Sequence, residues 1–273
     1  MALVLAIVAG ALIGLSLGAL GGGGSILAVP VLVYLLDQSP AQATTGSLVV
    51  VGVTALIGAV AAGRAGHVML GRGVVFGLVA VGGAILGAKA SVRVDEDVLL
   101  AAFAALMLLV GVLMAVRQLR RGRRGPQIAA RPSLDDPIIT FSPTFACACP
   151  RALKVLVTAT SVGLLTGFLG VGGGFLVVPA LLVSLALPLR YAAGTSLVVI
   201  TITSAAALAT RAGVGSAPDW GVVLALTLAS ALAAVAGARI ADRADTRHLS
   251  GAFTVLVLAI AVYTATRAVP ALL

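Results

Sequence analysis

The sequence predicts an all-α integral membrane protein of two inverted repeats, each a glycine-broken helix pair plus three transmembrane helices. Three observations carry this prediction. Of 273 residues, 60% are hydrophobic and only 10% are charged, whereas a soluble domain needs roughly a quarter charged residues to cover its surface. Apolar runs fill most of the chain, and a run of about 20 residues matches the hydrocarbon core of a bilayer. Finally, the chain repeats itself. Residues 14–30 read GLSLGALGGGGSILAVP and residues 163–179 read GLLTGFLGVGGGFLVVP. A constant offset of 149 pairs Gly14 with Gly163, Gly18 with Gly167, Gly21 with Gly170, Gly23 with Gly172, Gly24 with Gly173 and Pro30 with Pro179. Duplicated halves of this kind are a hallmark of transporter folds.

Each half opens on an apolar stretch, about residues 3–36 and 155–187, interrupted by its glycine cluster. As one helix at 1.5 Å per residue, such a stretch would be roughly 50 Å long, well beyond a bilayer core. It is therefore expected to be two pieces, either a re-entrant pair or two short tilted helices. Spans follow at about 43–62, 74–90 and 98–116, with partners at about 192–210, 220–238 and 249–266. The chain thus divides into a first membrane repeat (1–117), a linker (118–150) and a second membrane repeat (151–273). Arg120, Arg121, Arg123 and Arg124, with Pro126, Pro132, Pro137 and Pro143, give the linker the composition of an exposed loop.

A net charge of +9 raises the question of a nucleic-acid partner. The basic residues lie in short breaks between apolar runs, as the positive-inside rule places them, so no nucleic acid is expected. If each half crosses the membrane an odd number of times, the halves are inverted and both termini lie on the same side. Fourteen of the 18 Lys and Arg residues then share one face with the linker, against Lys89, Arg93, Arg211 and Arg267 opposite. Parallel halves give the weaker split of twelve to six. The linker is therefore expected in the cytoplasm and both termini in the periplasm. Met1–Ala9 carries no basic residue ahead of its apolar stretch and does not resemble a secretory signal. The two cysteines, Cys147 and Cys149, are too few ligands for a metal site, and no metal or cofactor is expected.

Non-helical backbone inside a membrane survives where it is buried in protein or lines a polar cavity. A helix starting just after each cluster, at Ser25 or Gly174, would aim free N–H groups and the positive end of its dipole into the break. Such a start suits an anion. The substrate-binding candidates are therefore Gly21, Gly22, Gly23, Gly24 and Ser25 in the first half, and Gly170, Gly172, Gly173, Gly174 and Phe175 in the second. Close helix packing through G-x-x-x-G spacings is the competing explanation for some of these glycines. A run of four glycines exceeds that need, because each lowers helix stability by about 1 kcal/mol.

Hydroxyls add a second set: Thr44, Thr45 and Ser47, with Thr195 and Ser196 in the matching region. At the start of a span they either bind an oxyanion or cap a helix, two roles that need the same residue types. Thr201, Thr203 and Ser204 lie deeper in their span and are weaker candidates. Lys89 and Arg239 are the repeated basic pair, with snorkelling to headgroups as the ordinary role for such residues. No Asp or Glu lies centrally in an apolar span, and no G-K-S/T, H-E-x-x-H or G-x-S-x-G is present. The chain is not expected to be an enzyme.

The doubled G-L-x-x-G-x-L-G-x-G-G-G-x-L-x-V-P motif, with AAGTSL at 192–197, resembles the TauE/SafE sulfite exporter family, also called the toluene-sulfonate uptake permease family. The first copy departs at 43–48, which read ATTGSL, and Thr203-Ser204 stand where many relatives have Asn-Ser. The resemblance implies secondary transport of sulfite or organosulfonate across the bacterial inner membrane. An ion gradient, protons first, or facilitated diffusion would drive it. An anion channel and a non-transporting membrane scaffold are the alternatives. The expected partners are a small anionic substrate and membrane lipid, with a homodimer left open.

Overall fold

The computed structural model describes residues 2–122, 149–170, 173–185, 187–211 and 218–243, with isolated positions beyond 250. Most of the expected linker and of the last span at 249–266 lies outside these residues, as do Cys147, His248 and both chain ends. The described residues form helices: α1 (Ala2–Leu20), α2 (Ser25–Pro30), α3 (Pro40–Arg64), α4 (Leu70–Ser91), α5 (Glu96–Gly122), α6 (Cys149–Leu169), α7 (Gly174–Ser184), α8 (Leu189–Arg211) and α9 (Trp220–Arg243). A 3-10 turn, Gly22–Gly24, precedes α2, and a π turn, Val31–Leu35, follows it.

Five of these helices are long and apolar enough to cross a membrane: Leu3–Leu20, Pro40–Arg64, Leu70–Ser91, Arg190–Arg211 and Trp220–Ile240. Their outer faces carry Leu12, Leu78, Leu86, Leu224, Leu228 and Leu232, the last 77% exposed. So much bare leucine suits a hydrocarbon solvent rather than water. The protein is an all-α, multi-pass membrane protein.

Local chemistry accounts for the ends of the elements. Ser39 caps α3, accepting from the Gln42 N–H at 3.3 Å, while the Gln42 side chain accepts from the Ser39 N–H at 3.2 Å. Pro40 at the first helical position needs no acceptor for an N–H. This capping box starts α3 three residues before the expected Ala43. Pro30 closes α2 and supplies no donor, so the helix widens into the π turn, with the Leu36 N–H bonding to the Val31 carbonyl. α5 runs past the expected Val116, through Gln118, Leu119, Arg120 and Arg121, to the edge of the described residues at Gly122. These are good helix formers.

The repeat seen in the sequence is also a repeat of elements. α1 and α6 end 149 residues apart, as do the starts of α2 and α7 and those of α3 and α8, while α4 and α9 start 150 apart. Contacts are exchanged between halves. Gly14 packs on the backbone of Ser230 and Gly163 on that of Ala80; Gly18 meets Ala234 and Gly167 meets Ala84. Thus α1 lies along α9, and α6 along α4, each close enough that a side chain on those glycines would overlap the neighbouring backbone. α3 and α8 run antiparallel at the centre: Thr44 meets Arg211, Gly52 lies by Ser204, and Gly58 lies by Leu197.

Candidate functional site

Both apolar stretches break at their glycines. In the first half α1 stops at Leu20, and Gly21 adopts φ +74° and ψ −107° before the 3-10 turn. In the second, α6 stops at Leu169, Gly170 has φ +66°, and Gly173 caps α7 from the left-handed region at φ +62°. An L side chain is strained at such positive φ, which accounts for glycine at these three places. After each break the chain turns back. Gly24 packs on Ile13 and Leu17 of α1, and Gly173 packs on Thr166 of α6. Each stretch is thus two pieces, the second lying against the first. The returning segments, Gly22–Leu35 and Gly174–Ser184, are about 20 Å and 16 Å long, each shorter than a bilayer core.

The two breaks meet. Gly22 lies so close to Gly174 that a Cβ on Gly22 would overlap the Gly174 carbonyl. A Cβ on Gly174 would sit 2.7 Å from the Ser25 hydroxyl oxygen. Each break is also held by the central helix of the other half. Gly21 rests on Ala193 of α8, and Gly170 rests on Thr44 of α3, a pair of contacts that the 149-residue offset interchanges. Ser47 donates to the carbonyls of Thr44 and Gly170. Gly21, Gly22, Gly23, Gly24, Ser25, Gly170, Gly173 and Gly174 are all buried. Gly172 and the side chain of Phe175 lie outside the described residues.

Hydrogen bonding refines which groups have capacity for a ligand. The Ser25 N–H and hydroxyl both donate to the Gly22 carbonyl, the hydroxyl at 2.7 Å. The helix-start donors on that side are therefore the N–H groups of Gly22, Gly23 and Gly24, one turn ahead of Ser25. On the other side they are those at the start of α7, where the Leu176 and Val177 N–H groups already bond the Gly173 carbonyl.

The hydroxyl candidates divide. Ser196 donates to the carbonyl of Ala193, the residue under Gly21, at 2.7 Å. Thr45 donates to Ala41 at 3.2 Å and is half-buried. Thr195 points elsewhere, accepting from the Met69 N–H at 3.1 Å and packing beside Gly73 of α4. None of Thr44, Thr45 or Ser47 caps α3; that role belongs to Ser39. Lys89 and Arg239 are both exposed, as snorkelling cations are.

One charged group beside the breaks was not legible in the sequence. Arg211 is 7% exposed at the end of α8. Its guanidinium donates to Thr44 Oγ1 at 2.6 Å, to Ser91 Oγ at 2.6 Å and to the Gly167 carbonyl at 3.3 Å. Thr44 is the residue on which Gly170 rests, so this cation stands beside the second break. Among the described residues no group of His, Cys, Asp or Glu side chains is arranged to hold a metal.

Residues 6–264 match the family described as "Sulfite exporter TauE/SafE". A "Probable membrane transporter protein" of Xylella fastidiosa strain 9a5c is 32% identical over 264 residues, covering 96% of this chain and 94% of the relative. A protein of the same description from Xylella fastidiosa strain Temecula1 is 37% identical over 199 residues, 72% of this chain and 69% of the relative. A "Probable membrane transporter protein YunE" of Bacillus subtilis strain 168 is 27% identical over 212 residues, 75% of this chain and 76% of the relative. No solved structure gives a significant match.

Proposed function

The chain belongs to the TauE/SafE sulfite exporter family of probable membrane transporters, and on that premise we propose that it is a secondary transporter of a small sulfur-containing anion, sulfite or an organosulfonate, across the bacterial inner membrane. The observation that carries this reading is the meeting of two glycine breaks, one per half, at Gly22 and Gly174. Each break is followed by the start of a helical segment, where free N–H groups and about half a positive charge favour an anion. The proposed ligands are backbone N–H groups at Gly22–Gly24 and Gly173–Phe175, with the Ser47 and Ser196 hydroxyls holding the flanking carbonyls away from the anion.

The halves are read as inverted repeats. Antiparallel packing of the equivalent helices α3 and α8 supports this, because a two-fold axis that interchanges antiparallel membrane helices lies in the membrane plane. With the 14-to-4 charge split, the linker is then cytoplasmic and both termini periplasmic. The test is uptake by purified protein in liposomes, with sulfite, sulfate, thiosulfate and a sulfonate offered separately. Saturable flux of at least one sulfur anion is expected. Flux of none of them would contradict the reading and favour a scaffold, while flux that rises linearly with concentration would favour a channel.

A further inference from the structure

We propose that Arg211 supplies the positive charge of the anion site, held at the edge of the second glycine break; this deepens, and rests on, the anion-transport reading above.

Arg211 stays protonated under ordinary conditions, and a guanidinium 7% exposed has lost most of its water. A charge taken out of water is costly unless something replaces the solvation. The partners found for it are two hydroxyls and a carbonyl, none of them a carboxylate. Both hydroxyls are oriented to receive it. Thr44 donates to Ala41 at 2.9 Å and Ser91 to Ala88 at 2.9 Å, so each turns a lone pair toward the guanidinium. These dipoles soften the burial cost, and among the described residues no carboxylate neutralises the charge.

Donor capacity is also left over. Three bonds use three of the five guanidinium N–H donors, and the buried Nε finds no partner. A buried cation with spare donors and no carboxylate partner among the described residues, inside a membrane protein, marks an ion or substrate path. Its position agrees. Thr44 links it directly to Gly170, and Gly167, which it also touches, lies in the last turn of α6 before the break. Four elements from both halves (α3, α4, α6 and α8) converge on this one group.

Only one half has it. The 149-residue offset places Ala62 at the position equivalent to Arg211. The second break therefore has a buried cation beside it, on the side where α4 and α8 end and α3 begins, and the equivalent position of the first half is neutral. A planar fork suits an oxyanion with two or three oxygens better than it suits a spherical halide.

The experiment uses the full chain in liposomes with sulfite and methanesulfonate as probes, measuring initial rates against concentration and melting temperature in detergent. Arg211→Lys keeps a charge on α8 beside the end of α6 and loses the fork. It should raise KM about ten-fold with little change in maximal rate or melting temperature. Arg211→Gln should lose saturable flux. A folded Arg211→Lys and Arg211→Gln pair with wild-type KM would overturn the assignment while leaving the transport reading intact. Wild-type protein that carries neither probe would remove the transport reading, and this inference with it. Should Arg211→Gln fail to fold, Arg211→Lys decides alone: unchanged KM for both probes contradicts the proposal.

Discussion

Gly22 faces the Gly174 carbonyl across bare backbone, and a single methyl at position 22 has nowhere to go. Gly82, by contrast, sits on the open face of α4, where a Cβ would meet nothing within 4 Å. The two glycines give opposite expectations for the same change. Gly22→Ala should destabilise by roughly 1–3 kcal/mol through overpacking. Gly82→Ala should stabilise by up to about 1 kcal/mol through helix propensity. Thermal unfolding in one detergent checks both, and equal melting temperatures would contradict the close approach. The clustered glycines were legible because duplication marks them twice. Arg211 was not, since a cation at the end of an apolar run looks the same whether it snorkels or is buried. Only the packing of α3, α4 and α6 around it tells the two apart. Ser39 was missed for a related reason. Thr44, Thr45 and Ser47 offered three cap-like hydroxyls nearby, while the Gln42 partner that completes the box lay just ahead of the expected span.

At the scale of elements, the central pair α3 and α8 was visible as two spans of opposite expected direction, but their packing on each other was not. Periodicity identifies spans, whereas antiparallel contact depends on which small residues face each other. Gly52 and Ser204 settle it, with a Cβ on Gly52 lying 3.2 Å from that of Ser204. This is close to the Cβ separation of a disulfide, about 3.5–4.5 Å. With Cys147 and Cys149 replaced, Gly52→Cys with Ser204→Cys should cross-link on mild oxidation. A protease site between residues 123 and 148 reads the result: cleaved protein should migrate as one band until reduced. Two bands before reduction would contradict the antiparallel pairing. The division of each glycine-broken stretch into two pieces was legible in sequence, whereas the way the pieces lie against each other was not. The contacts of Gly24 with Ile13 and Leu17, and of Gly173 with Thr166, come from packing that the glycine pattern alone does not specify.

For the whole molecule, the proposed mechanism is one anion site shared by two halves and reached in turn from each side. On the proposed orientation, a reporter active only in the cytoplasm should work when inserted between residues 123 and 148 and fail after Leu273. The opposite pattern would reverse the orientation. Alternating access itself is tested most directly by counterflow. Liposomes holding purified protein are loaded with unlabelled sulfite or methanesulfonate, and entry of the labelled anion is timed from outside. A site exposed alternately must return loaded or empty, so internal anion should accelerate labelled uptake several-fold over empty liposomes, and the rate should saturate. Uptake that is indifferent to internal anion and linear in external concentration would contradict the mechanism, leaving a continuous pore in place of a carrier.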